Sequence, residues 1–221
     1  MYIAAVGPPE AEHMYESTKG RLTRRSALML PLAVLATVRL AQAAPVAQAA
    51  RRYAIDKRYG SIEFSVTHLG LFSSHGRFRS FGADLSIDRA HPESTRVEVS
   101  IDAGSVEMPW EEGAAMLRSA DFFDVTNHPA VHFNSTAITV LAPDHYRVSG
   151  LLEIRGVTRP IELDARLTRH QDDAAGEPVS ADFVVSGTLS RAAFGMVSQR
   201  TFISDTVRLS INARIALADA G

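Results

Sequence analysis

The chain has 221 residues and a mass of 24.0 kDa, enough for one domain or two small ones. Hydrophobic residues make up 46% and charged residues 22%, a globular composition that excludes wholesale disorder. A formal net charge of -2 gives no basic excess for nucleic acid, and the absence of cysteine excludes disulfides, thiolate metal sites and cysteine nucleophiles.

The N-terminal segment reads as an address. Lys19, Arg21, Arg24 and Arg25 precede an apolar run from Ala27 to Val38, interrupted by Pro31 and ended by Arg39. That run is too short to span a bilayer, which takes about 20 apolar residues. Small residues follow, as Ala41-Gln42-Ala43 and again as Ala47-Gln48-Ala49. A basic region, a short apolar core and an A-x-A site together define a secretory signal peptide. Thr23-Arg24-Arg25-Ser26-Ala27-Leu28 resembles the twin-arginine form of that signal. Cleavage after Ala43 or after Ala49 fits, and either Met1 or Met14 serves as a start. The expected organisation is a leader over 1–43 and one domain over 44–221, periplasmic or secreted, with no integral membrane segment in the mature chain. Removing the leader takes five of the 23 basic residues and three of the 25 acidic ones, so the product becomes more acidic.

From there the sequence alternates with a period of two. Val97, Val99 and Ile101 interleave with charged or polar residues, and so do Tyr146, Val148, Gly150, Leu152 and Ile154. Ile161, Leu163, Ala165 and Leu167 repeat the pattern, as do Val207, Leu209, Ile211, Ala213 and Ile215. Each predicts a strand with one dry and one wet face. Weaker strand candidates cover 61–68, 77–88, 130–140 and 180–190. Ala142-Pro143-Asp144, the segment Arg155–Pro160 and the polar stretch Gln171–Pro178 read as turns, and short connections demand antiparallel neighbours. Pro109-Trp110-Glu111-Glu112 opens a short helix that runs to Ser119, with Phe122 and Phe123 just beyond. One-sided antiparallel strands with almost no helix leave a sandwich or a closed barrel, and the even spacing favours an up-and-down barrel capped by the helix.

No residue pattern demands catalysis. There is no G-x-S-x-G elbow and no phosphate-cradling glycine loop before a helix. His128 and His132 sit too far apart on one strand face to chelate easily, while His68 and His75 flank a loop across which they could converge. No metal and no cofactor is expected. The apolar inventory says more. Small residues, Gly150, Ala165, Ala181, Gly187 and Ala213, fall on the apolar strand faces beside many phenylalanines. A small barrel lined only by large side chains is solid, whereas one with several small ones leaves room for an apolar ligand.

A series of segments then resembles one known family. Tyr53–Asp56, Ile62–Gly70, Gly76-Arg77-Phe78, Leu117–Asp124, His128–Phe133, Val148–Pro160, Ser190–Met196 and Ser204–Val207 are similar, in order and spacing, to the YceI-like proteins. The resemblance runs over about Arg52 to Leu217. It implies an all-β, lipocalin-like antiparallel barrel with a short capping helix. It also implies a periplasmic or secreted carrier, with a polyisoprenoid, an isoprenoid quinone or a similar apolar lipid inside, and possible homodimers. The residues expected to line the apolar cavity are Phe64, Val66, Phe78, Phe81, Met116, Phe122, Phe123, Phe133, Val148, Gly150, Leu152, Ala165, Phe183 and Phe194. Gly60-Ser61, Glu112-Gly113 and Ala192-Ala193 depart from the family's usual His-Ser, Arg-Asp and Ser-Asp. Two further readings stand beside the carrier: a lipid-modifying enzyme with His68 as base, and an interaction module with a solid barrel.

Overall fold

The structure is a computed structural model that describes residues 50–88, 91–176 and 178–218. The leader expected over 1–43 lies outside the described residues. Eleven strands follow one another: β1 (Arg51–Ile55), β2 (Ser61–His68), β3 (Phe72–Phe78), β4 (Phe81–Ile87), β5 (Arg96–Asp102), β6 (Val106–Glu107), β7 (Ala130–Ala142), β8 (His145–Ile154), β9 (Val157–Asp172), β10 (Pro178–Ser190) and β11 (Ile203–Leu217). The helix α1 (Glu111–Arg118) stands between β6 and β7.

Eight of these strands close a ring in the order β1-β4-β5-β7-β8-β9-β10-β11, sealed by pairing of β1 with β11. All the pairings are antiparallel. Closure removes the open sheet edge that would otherwise invite other strands. The expected antiparallel barrel with a short capping helix is therefore the fold. It departs from a plain up-and-down order in one place. The hairpin β2–β3 leaves the ring after β1, and β2 pairs with the first part of β11 while β1 pairs with its last part. One edge of β11 thus serves two strands placed end to end.

Every strand with strong period-two alternation turns its apolar face inward, as expected for one wet and one dry side. The weaker candidates are weaker for local reasons. In β7 the register with β8 slips between Ser135 and Ala137, so Val131 and Phe133 share the interior with Ile138, which has the opposite parity. A bulge is the physical cause: one extra residue on one strand flips the faces beyond it. The single strand expected over 77–88 is two strands, β3 and β4, which run in the same direction and are separated by Arg79 and Ser80. Arg155–Pro160 is not wholly a turn. Only Arg155 and Gly156 take positive φ, 55° and 70°, making a tight hairpin, and Val157–Pro160 already belong to β9. Pro160 is tolerated there because it lies beyond the last β9–β10 pair, Leu163↔Gly187, on a stretch of β9 paired only with β8.

The core gathers at the α1 end of the barrel. Val106, Ala103, Phe194, Ile154, Val131 and Met196 are each at most 5% exposed. Phe78 joins its ring to Phe64 and Phe123 at 5.6 and 5.5 Å between centroids. α1 begins without a side-chain cap, but Glu111 and Glu112 fill its first turn and Arg118 its last, the favourable order for the helix dipole. Arg118 also anchors the helix. Its guanidinium donates to the carbonyls of Gly104 and Val106 and reaches Glu111.

Candidate functional site: a two-chambered apolar interior

The barrel is hollow, with two chambers. The chamber at the α1 end has a volume of about 180 Å³ and is walled by β2, β3, β5, β7–β11 and α1. Its lining is apolar except for His68, Ser74 and Arg191. The opposite chamber, about 450 Å³, is lined by Leu85, Val97, Ile138, Tyr146, Val148, Ala165, Phe183 and Ala213 among others, with Asp88 and Thr95 towards the β4–β5 connection. Ile62, Val99, Phe133, Leu163 and Ile211 line both chambers and form the waist between them.

Phe64, Val66, Phe78, Met116, Phe122, Phe123 and Leu152 lie in the α1-end chamber, Val148, Ala165 and Phe183 in the other, and Phe133 at the waist. Three expected lining residues are placed elsewhere. Phe81 is buried outside both linings, with its ring beside Gly60. Phe194 is 3% exposed in the packed core. Gly150 does not hold space open: a Cβ there would stand 2.4 Å from the Phe133 ring and 2.6 Å from the Asn134 carbonyl oxygen. Its missing side chain seats Phe133. Gly76 does the same for Phe64, where a Cβ would come within 2.3 Å of the ring. The glycines make room for aromatic rings, and the chambers are left by the shape of the ring of strands.

The alternation missed several lining residues. His68 continues the inward phase of Ile62, Phe64 and Val66, so parity could have found it. Trp110 and Met108 lie outside any strand and carry no periodic signal. Trp110 lines the α1-end chamber, is 43% exposed, and folds its indole over Gly113, where a Cβ would meet Nε1 at 2.4 Å. A side chain at 113 would displace it, so the Glu112-Gly113 departure bears on the chamber wall itself.

Beyond His68 the chamber rim turns apolar and exposed. Leu69, Leu71 and Phe72 at the β2–β3 tip are 62%, 77% and 69% exposed, and Phe202 beside them is 58%. The Leu69 N–H donates to the Phe202 carbonyl at 3.0 Å, joining the two segments into one collar. Exposed apolar side chains therefore border His68 on the solvent side of this rim.

The charged groups here are structural. Arg191, 3% exposed, donates to the carbonyls of Met196, Ser198, Ile203 and Ser204 and so ties the loop before β11 to the barrel. Burial lowers its pKa from the ordinary value, while Asp205 acts in the opposite sense. The convergence that the loop left open to His68 and His75 does not occur, because His75 pairs with Ser65 on the outward face. Among the described residues no group of three or more metal-ligating side chains comes together. No described helix is long and apolar enough to cross a membrane.

A closed eight-stranded antiparallel barrel with an apolar interior and one capping helix defines a lipocalin-like class of barrel. Comparison places the chain more narrowly. Residues 53–215 match the model of the YceI-like domain, and the protein belongs to that family. A UPF0312 protein of Pectobacterium carotovorum is 33% identical over 180 residues, covering 81% of this chain and 93% of that one. A UPF0312 protein of Pseudomonas aeruginosa is 35% identical over 146 residues, covering 65% and 75%. Among solved structures, Burkholderia cenocepacia BcnA superposes with a TM-score of 0.65 at 19% identity, over 72% of this chain and 98% of that one. A polyisoprenoid binding domain from Saccharophagus degradans, implicated in plant cell wall breakdown, superposes at 0.55 with 15% identity, over 75% and 98%.

Proposed function

We propose that the protein binds a long apolar lipid inside the barrel and carries or sequesters it in the periplasm or outside the cell. The observation that carries this reading is the pair of apolar chambers that share Ile62, Val99, Phe133, Leu163 and Ile211 as a common apolar wall. A wall of this kind rewards a hydrocarbon chain with about 0.8 kcal/mol for each CH₂ taken from water, without asking for polar contacts. A chain threading both chambers gains more than a compact ligand held in one. The description of the Saccharophagus degradans relative as polyisoprenoid binding supports an isoprenoid as cargo. The leader features of residues 19–49 support export. Binding without chemistry is the simpler reading, because the α1-end chamber presents His68 with no carboxylate among its lining residues.

Trp110 supplies the test. It is the chain's one tryptophan and forms part of a chamber wall. Titration with geranylgeraniol is expected to change its emission saturably, and a solvent extract of protein purified from its host is expected to yield a long-chain lipid by mass spectrometry. Emission that stays constant, together with a lipid-free extract, would refute the carrier. For location, the processed protein is expected in the periplasmic or extracellular fraction. Replacing Arg24 and Arg25 by Lys is expected to hold it in the cytoplasm if export follows the twin-arginine route.

A further inference from the structure

His68 is the polar end of an otherwise apolar row. Ile62, Phe64, Val66 and His68 share the inward face of β2 and all line the α1-end chamber. Its Nε2 is buried and hydrogen-bonds to no group among the described residues. Such an atom is uncommon in a folded protein, because burial without a partner opposes folding. Leucine would fill an apolar wall at this position without that cost. Ser74, opposite Val66 on β3, adds a hydroxyl to the same wall. Ile203, the residue paired with His68, is immediately followed in space by the exposed collar of Leu69 and Phe202. His68 therefore stands where the rim meets the chamber.

We propose that His68 Nε2 hydrogen-bonds the head of the bound lipid, and that this head is an uncharged group such as an alcohol, phenol or carbonyl. The inference rests on the carrier reading and sets the orientation of the cargo within it. The head sits at the α1 end, and the tail passes the waist of Ile62, Val99 and Phe133 into the larger chamber. An ionised phosphate head does not suit the place. The one permanently charged cation in the lining is Arg191, and its guanidinium is already turned to the carbonyls of Met196, Ser198, Ile203 and Ser204. A phosphate there would be desolvated without a permanently charged partner free to meet it.

Three probes separate the possibilities: geranylgeraniol, geranylgeranyl monophosphate, and the hydrocarbon in which hydrogen replaces the alcohol. Binding is read from Trp110 emission and checked by calorimetry on the full mature chain. The alcohol is expected to bind tightest. His68→Leu is expected to weaken it about five- to tenfold, the worth of one hydrogen bond, and to leave the hydrocarbon within about twofold. His68→Gln is expected to recover part of the loss, and the melting temperature of His68→Leu to hold or rise. Equal losses for alcohol and hydrocarbon, no loss for either, or preference of the unmutated protein for the monophosphate would each overturn this inference and leave the carrier standing. Failure of every probe to bind the unmutated protein would overturn both.

Discussion

At the scale of single residues, small side chains in this barrel have two different duties, and substitution separates them. Gly150→Ala already forces a Cβ against the Phe133 ring and the Asn134 carbonyl, so it is expected to cost about 1–3 kcal/mol, visible as a lower melting temperature. Ala165 lies on the same apolar phase one strand along but faces the larger chamber. Ala165→Phe is expected to hold stability, because the added ring meets free volume, and to reduce lipid content in a solvent extract. Loss of stability at 165 with unchanged lipid would show that this wall is packed. Alternation reveals that both residues face inward. It does not reveal whether an inward glycine borders a void or a neighbour's ring, because that depends on Phe133, a partner brought in by strand pairing. The surface ion pairs also have a readable consequence. Asp182 and Arg214 face each other across β10 and β11, with Nε–Oδ1 and Nη2–Oδ2 distances of 2.6 and 2.7 Å. Those donors hold the Asp182 carboxyl below its ordinary pKa. A lowered folded-state pKa contributes stability above the unfolded value, near pH 4, and loses it as pH falls through the folded one. Melting temperature is therefore expected to fall less steeply in acid for Asp182→Asn than for the unmodified chain, once each is compared with its own value at neutral pH.

At the scale of elements, the helix and the loop before β11 are each fastened by one arginine. Arg118→Ala removes the donors that hold α1 to the Gly104 and Val106 carbonyls. It is expected to cost about 1–2 kcal/mol and to raise hydrogen exchange in Glu111–Arg118 above that of the barrel strands. Arg191→Met would leave carbonyls that now accept from a buried guanidinium without that partner, and is expected to cost at least about 3 kcal/mol in denaturant melts. Four strong strands were legible because a strand buried on one face writes its geometry into the sequence every second residue. β7 was faint because its bulge changes phase midway, and β1 because five residues are too few to establish a period. The helix was legible from Pro109 and the two glutamates, whereas Trp110 as a chamber wall was not. Its position follows from the space over Gly113, and no local pattern records that.

At the scale of the whole molecule, fold class and family were readable because the alternating strands and the motifs around Phe122 and Gly156 extend over nearly the entire domain. The division of the interior into two chambers was not readable, since the waist is made by Ile62, Val99, Phe133, Leu163 and Ile211 from five different strands. Nor was the manner of closure. β11 pairs with β10 on one edge and with both β1 and β2 on the other, so the earliest and latest strands of the barrel complete each other. Deleting 203–221 is expected to expose three strand edges at once and to give an insoluble product, checked by its partition after expression. The consequence reaches into biosynthesis. β11 follows the other barrel strands in chain order, and at about 5–20 residues per second of synthesis β1 and β2 have only β4 and β3 as partners until it emerges, while β10 keeps an open edge. Non-local pairing of this kind also slows folding. The nascent polypeptide is thus an unsealed sheet until β11 joins it, and its chambers come into existence only then.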